Sequence, residues 1–403
     1  MGIDSCDVAI VGGGPAGCAT AISLMTHAPS LSVVLIEASN YESFRVGESL
    51  PPPARSLLEH LGVWEAFASQ PHRQTYGTTS SWGTDSLQHN EYFFFPANAG
   101  WHIDRVAFDA LLSEEARRRG AGLLLNVRVH QAKRDVQKWC LKLASGRTIG
   151  AHFLVDATGT AALARDFGDH FVEEDHLIGI AQTFGGSNPD SRTLVEPFAH
   201  GWWYTAGLPD DRRVVVLMTD SDIARRFHLH EPAEWRHALS ETRHVSALVG
   251  QSEPSANLNI KSASSRRLRR AAGDDWLAVG DSASRFDPLS SQGIFKALRS
   301  GIFGSYAIAD LLVRRDRAGL QKYTRFIEAE FKSYLEIRAR YYREERRWRN
   351  SKFWQRRHGD TFSEEALRVA YHSSIWGTRS GLSPAPDNKL AAAGLDANHI
   401  PPV

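Results

Sequence analysis

The apolar pattern begins almost at once. Asp7 leads into Val8-Ala9-Ile10-Val11, a short β-branched run of the kind that forms a strand buried on both faces. Gly12-Gly13-Gly14-Pro15-Ala16-Gly17 follows, and Cys18 to Leu24 opens a helix. A second apolar run, Val33-Val34-Leu35-Ile36, ends in Glu37. The triplet Pro51-Pro52-Pro53 then stiffens a loop before a helix over 54–61. Residues 70–100 are polar and then aromatic, with Trp82, Tyr92, Phe93, Phe94 and Phe95, and predict short strands at a domain edge. A helix over 106–119 places Phe108, Leu111 and Leu112 on one face.

Strands are predicted over 123–129 and 138–143, with turns at Arg134-Asp135 and Ser145-Gly146. His152 to Asp156 is another apolar strand, and its turn, Ala157-Thr158-Gly159, predicts a return to the same parallel sheet. Over 166–262 the character changes. Strands at 178–184, 202–206, 214–218 and 258–261, with a helix near 233–242, predict a second, mainly antiparallel layer. Trp276-Leu277-Ala278-Val279 then runs into Gly280-Asp281, and Pro288 to Gly293 leads into a helix over 294–312. A long helix is predicted over 321–357, and the tail after Gly381, rich in Pro, Ala and Asn, is predicted irregular.

Composition narrows the class. A chain of 403 residues predicts one large or two intertwined domains. Apolar content of 42% and charged content of 23% are those of an ordinary globular protein. A net charge of +1 gives no global field to recruit nucleic acid or a membrane surface. Cys6, Cys18 and Cys140 form neither a disulfide framework nor a metal spacing, which fits a reducing compartment. With no basic leader and no apolar run of about eighteen residues, the expectation is a cytoplasmic protein without a membrane span.

One segment is strongly charged. Arg338, Arg340, Arg343, Arg346, Arg347, Arg349, Lys352, Arg356 and Arg357 stand against Glu344 and Glu345, among Tyr341, Tyr342, Trp348, Phe353 and Trp354. It reads either as a helix face whose Arg stems cover aromatic packing or as a docking surface for an acidic partner.

The candidate chemistry lies in the loops. Gly12, Gly14 and Gly17 stand in GxGxxG register, with strand before and helix after. Gly12 allows the tight turn, Gly14 lets the backbone approach a pyrophosphate, and Gly17 lets helix and strand pack closely. The helix start at Ala16 offers N–H groups and a positive dipole end. Glu37 stands at the distance, about twenty residues on, where an acid accepts both ribose hydroxyls. Arg45 and Glu48 sit on a loop that either folds over a cofactor or carries a solvated ion pair. Gly280-Asp281, then Pro288, then Gly293-Ile294 at a helix start, form a second ligand-binding loop.

With the Asp156-Ala157-Thr158-Gly159 turn, these loops resemble, in kind and order from residue 5 to about 312, the flavoprotein monooxygenase and halogenase superfamily. Its fold is that of para-hydroxybenzoate hydroxylase. The resemblance implies an α/β chain, α+β overall. A Rossmann-like FAD-binding domain would be discontinuous over 1–75, 100–165 and 262–312. An inserted, mainly antiparallel substrate-domain sheet would comprise 76–99 and 166–261, and a helical C-terminal region 313–403. It implies that Asp281 binds the FAD ribityl chain and that Pro288 to Gly293 lies beside the isoalloxazine. Arg105 would bracket the diphosphate, and Arg45 and Glu48 would line the loop near the flavin ring. A single dinucleotide fingerprint means that NAD(P)H visits transiently or that a separate flavin reductase supplies electrons.

The branch is read from departures. Tryptophan halogenases share Gly-Trp-x-Trp-x-Ile-Pro and Pro-Leu-Glu-Ser-Thr-Gly. Here the first is Gly201-Trp202-Trp203-Tyr204-Thr205-Ala206-Gly207 and the second Pro288-Leu289-Ser290-Ser291-Gln292-Gly293, so Ser290 stands where the halogenase has its catalytic Glu. Halogenases also use a lysine in the N-terminal half, and the first lysine here is Lys133. Together with Arg45 to Pro51 and Gly100 to Arg105, these variants look most like the side branch that matures cysteine tryptophylquinone enzymes.

That branch implies hydroxylation of an aromatic, indole-type group through a flavin C4a-hydroperoxide, with O₂ as co-substrate and a tryptophan of a precursor polypeptide as partner. Glu48 and His102 are the candidates for the proton-accepting base. Trp82, Trp202, Trp203 and Tyr204 either stack on the substrate or form core. The alternatives are a small-molecule hydroxylase or halogenase-like enzyme, an FAD-dependent reductase, and a flavoprotein chaperone that binds a precursor through 338–357.

Overall fold

The computed structural model describes residues 4–43, 45, 47–94, 99–136, 138–161, 163–167, 170–186 and 190–359. The predicted tail beyond Gly381, and Phe95, lie outside them.

The two apolar runs at the start pair as parallel strands, Ser5–Val11 and Val33–Ile36, joined by the helix Pro15–His27. Val8, Ala9 and Ile10 are fully buried, as an all-apolar run covered on both faces must be. Thr148–Asp156 adds parallel to Ser5–Val11, and Trp276–Ala278 adds parallel to it in turn. Gly122–Leu124 closes the opposite edge. Val129–Arg134 and Trp139–Leu143 form an antiparallel flap on the amino-terminal half of Thr148–Asp156. The expected single strand over 123–129 is therefore two. Gly122–Leu124 belongs to the parallel edge and Val129–Arg134 to the flap, with Asn126 in the left-handed region at φ 57° between them.

The second layer is a seven-stranded sheet. Leu177–Gly185, Arg212–Asp220, Gly201–Gly207 and Thr193–Phe198 follow one another antiparallel, with Asn259–Ser262 on one side. Gly77–Ser80 pairs parallel with Thr193–Phe198 and carries Gln88–Glu91 at the far edge. Residues on both sides of 100–165 thus share this sheet. Thr193–Phe198 had no strand signal of its own, because its apolar run is interrupted by Glu196 and Pro197. Glu196 is buried and accepts from the backbone N–H groups of Arg243, His244 and Val245, so its charge serves to start the helix Val245–Val249.

The predicted long helix breaks. Ala318–Glu344 is continuous, the chain then turns at Glu345, and Lys352–His358 is a separate short helix. The buried Glu345 carboxylate accepts from the backbone N–H groups of Gly83 (3.0 Å) and Arg347 (2.8 Å), a tertiary demand invisible to periodicity. In the basic segment the arginines do cover aromatic rings, Arg347 over Trp348 and Arg357 over Phe353, and they also find acids. Arg338 pairs with Asp175, Arg347 with Glu345 and Asp85, Arg356 with Asp220 and Asp222, and Arg357 with Asp220. Much of the charge therefore ties the C-terminal region to the second layer. No helix among the described residues is long and apolar enough to cross a membrane.

Candidate active site

The four central strands are parallel, so their carboxyl ends lie on one side of the sheet, and the predicted loops are there together: Gly12, Glu37, Ala157 and Gly280. The glycines divide by role. A Cβ on Gly12 (φ 110°) would lie 2.2 Å from the Ala157 carbonyl oxygen, and one on Gly17 would lie 1.9 Å from the Gly12 carbonyl oxygen. These two permit backbone packing. A Cβ on Gly14 or Gly293 would meet nothing within 4 Å. Gly14 and Gln292 cap the helices Pro15–His27 and Gly293–Leu312 without a side-chain hydrogen bond. Two uncapped helix starts therefore border open space at the strand ends, a cradle that fits a dinucleotide diphosphate. Ala16 and Ile294 are buried, and the Ala16 methyl packs under Gly280, where a Cβ would lie 2.7 Å away.

Glu37 is nearly buried. Its carboxylate accepts from Gly13 N (2.7 Å), Ser39 N (3.0 Å), Ser39 Oγ (2.5 Å) and Arg45 Nη2 (3.1 Å). Burial alone would raise its pKa, but the Ser39, Gly13 and Arg45 bonds hold it below the ordinary carboxylate value. Arg45 also pairs with Asp109 at 3.1 Å, and the same buried carboxylate takes Arg105 through two nitrogens at 3.0 and 3.2 Å. Arg45 thus stands at the Glu37 end of the site, not at the Pro288–Gly293 loop. Asp109 escaped the sequence reading. Its signal was the Arg105–Asp109 (i, i+4) spacing on one helix.

Glu48 is 2% exposed. Burial pushes its carboxyl up; the backbone N–H groups of Glu48 and Gly47, Arg105 and the Tyr204 hydroxyl oppose this, and the net direction is upward. His102 is fully buried, with Nε2 3.0 Å from Thr193 Oγ1. Burial, with Arg73 and Arg213 nearby, pushes its pKa down to about 4. A ring so weakly basic is a poor proton acceptor at neutral pH, which leaves Glu48 as the stronger candidate.

The aromatic candidates separate by strand alternation. Trp202 faces a cluster with Trp82, Tyr342 and Trp354, and its Nε1 donates to Tyr342 Oη at 2.9 Å. Trp203 faces the opposite side and packs edge-on against Trp235, ring centres 5.0 Å apart. Both are core. Tyr204, half-buried, returns to the Trp202 face and meets Glu48.

The Pro288–Gly293 loop hangs from Asp287. This buried carboxylate caps Leu289 N (2.9 Å) and accepts from Tyr342 Oη (2.7 Å), while Asp287 N donates to Tyr334 Oη (2.7 Å). Arg338 Nε lies 3.5 Å from it. Tyr334, Arg338 and Tyr342 recur every four residues, so one face of Ala318–Glu344 holds the loop. Between loop and helix lies an open cleft lined by Leu289, Ser290, Gln292, Ser333, Ile337 and Tyr341. Glu330 also lines it, and its Oε2 is buried without a hydrogen-bond partner. On the strand-end side, Asp281 follows Gly280 and is joined by Lys296, a residue the sequence reading passed over.

Fold and site together define a dinucleotide-binding flavoprotein. The FAD binding domain family model matches residues 5–329, and the chain belongs to that family. It is 31% identical over 367 residues to LodB, an FAD-dependent oxidoreductase of Marinomonas mediterranea, covering 88% of this chain and 98% of that one. Among solved structures it superposes on the flavin-dependent halogenase CmlS with a TM-score of 0.80 at 23% identity, over 98% of this chain and 77% of that one. It superposes on QhpG, a peptidyl tryptophan dihydroxylase essential for tryptophylquinone cofactor biogenesis, with a TM-score of 0.72 at 24% identity, over 95% and 82%. The protein is an FAD-dependent oxidoreductase with the α/β fold expected, and FAD is its cofactor.

Proposed function

We propose that the protein is a monooxygenase that hydroxylates an electron-rich aromatic ring, and that the ring is a tryptophan side chain of a precursor polypeptide. The observation that carries this reading is at the loop. Ser290, a hydroxyl, lines the cleft at the loop position where tryptophan halogenases carry a carboxylate. The first lysine of the chain, Lys133, is exposed on the antiparallel flap. Steering a halide-derived oxidant needs both groups, and ring hydroxylation needs neither. The open mouth of the cleft and the fold shared with a peptidyl tryptophan dihydroxylase support a substrate carried on a polypeptide.

Bound FAD, reduced by NAD(P)H or a flavin reductase, supplies the electrons and activates O₂. The parallel-sheet segments act as the cofactor domain and the seven-stranded sheet as the substrate domain. The uncapped helix starts and Arg105 hold the diphosphate, and Asp281 holds the ribityl chain. Glu48, bonded to Tyr204, accepts the ring proton. Tyr204 packs against the apolar cluster that includes Trp202 and Leu289.

The test is mass spectrometry of tryptophan, a tryptophan-containing peptide and a precursor protein after incubation with the FAD-loaded enzyme, a flavin reductase, O₂ and chloride. Oxygen added to the peptide or precursor is the expected result. Chlorine in any of them overturns the reading. In the same assay Glu48→Gln should lower turnover by roughly 10²–10⁴-fold.

A further inference from the structure

Among the described residues Lys296 is the one buried lysine. It sits in the first turn of Gly293–Leu312, the end of a helix where the backbone dipole disfavours a cation. Its side chain is 1% exposed. A charge so placed needs partners, and the segment before the helix supplies them. Nζ donates to Asp281 Oδ1 at 3.0 Å and to the Ser284 carbonyl, and it stands 5.0 Å from the centre of the Phe286 ring. These partners come from the Gly280–Ser282 turn, the Ser284–Arg285 strand and the residue before Asp287. One ammonium thus ties the start of the helix to both arms of the loop that precedes it.

Asp281 is held on one side and open on the other. Among the described residues its only hydrogen-bond partner is Lys296, yet 42% of its side chain is exposed at the carboxyl ends of the strands. Its partial burial would push this carboxyl up, but Lys296, with Arg285 and Arg266, brings it below the ordinary value, so the acceptor is ionised. A carboxylate with one oxygen fixed has little rotational freedom left to lose when a ligand arrives.

We propose that Lys296 is a positioning residue for the cofactor: it clamps one oxygen of Asp281 so that the other is aimed at the ribityl hydroxyls of FAD. This rests on the reading of Asp281 as the ribityl acceptor. Lys296, its side chain 1% exposed, acts through that carboxylate.

The experiment is a double-mutant cycle on FAD affinity, read by quenching of flavin fluorescence on titrating apo-protein. The proteins are wild type, Lys296→Met, Asp281→Asn and the double variant. Lys296→Met and Asp281→Asn should each weaken FAD by about tenfold, the scale of one charge-assisted hydrogen bond. The double variant should bind no more weakly than Asp281→Asn alone. Additive losses, or an unchanged affinity in Lys296→Met, overturn the proposal. Lys296→Gln, which keeps a donor, should recover part of the affinity. It also serves as the readout should Lys296→Met fail to fold, and affinity no better than that of Asp281→Asn then counts against the clamp. Tight FAD binding by Asp281→Asn would instead sink the ribityl reading of Asp281, and the clamp with it.

Discussion

Gly14 and Gly17 are separated by one helical turn and should respond oppositely to the same methyl group. At Gly17 the added carbon would lie 1.9 Å from the Gly12 carbonyl oxygen, well inside contact distance, and that oxygen belongs to the main chain of the tight turn. The turn or the helix must move. Overpacking of this kind costs about 1–3 kcal/mol, and here it also distorts the cradle. At Gly14 nothing lies within 4 Å, and the backbone is extended (φ −74°, ψ −178°), a conformation alanine adopts without strain. Alanine loses up to about 1 kcal/mol as an N-cap and regains about 0.4–1 kcal/mol by restricting the unfolded chain. Apo-protein stability should therefore change by less than about 1 kcal/mol. The methyl instead occupies space open to the diphosphate. Losing close backbone approach should weaken FAD at least about tenfold, or about 1.4 kcal/mol. Thermal unfolding of the apo-proteins and fluorescence titration with FAD separate the two effects. Gly14→Ala that binds FAD like wild type, or Gly17→Ala as stable as wild type, would refute the division of roles.

Further outcomes follow from the buried charges. His102 has its pKa pushed down to about 4 in the fold against 6.5 unfolded, so the unfolded chain binds its proton first as pH falls. Stability should be full above pH 6.5 and fall by about 3 kcal/mol between 6.5 and 4, and denaturant melts of wild type and His102→Gln should differ in that slope. Tyr204→Phe removes a donor to the Glu48 carboxylate. The carboxyl pKa then rises further, and the acid limb of the pH–rate profile should move to higher pH, whereas an unmoved limb would exclude Glu48 as the base. Asp220→Ala leaves the buried Arg357 without its carboxylate, which should cost about 3 kcal/mol and open the chain between Glu344 and Lys352 to limited proteolysis.

What the sequence determined by itself is the cofactor half. The strand, glycine turn, helix and acid, and the Gly280-Asp281 to Gly293 loop, are local signals, because backbone approach and helix starts are set by neighbouring residues. The structure assembled those loops at one edge of one sheet with little change. Tertiary structure decided the rest, for reasons no local pattern holds. Trp202 and Trp203 are adjacent in sequence but lie on opposite faces, and which face meets which layer depends on strand pairing far along the chain. The helix ends at Glu344 because Gly83, distant in sequence, offers Glu345 an N–H to accept. Arg45 turned to Glu37, and the arginines at 338–357 found acids, because a charge leaving water takes the nearest partner the fold provides. Lys296 and Asp287 follow the same rule. Their roles exist only where the loop, the Ser284–Arg285 strand and the long helix meet, and spacing along the chain carries no record of that meeting.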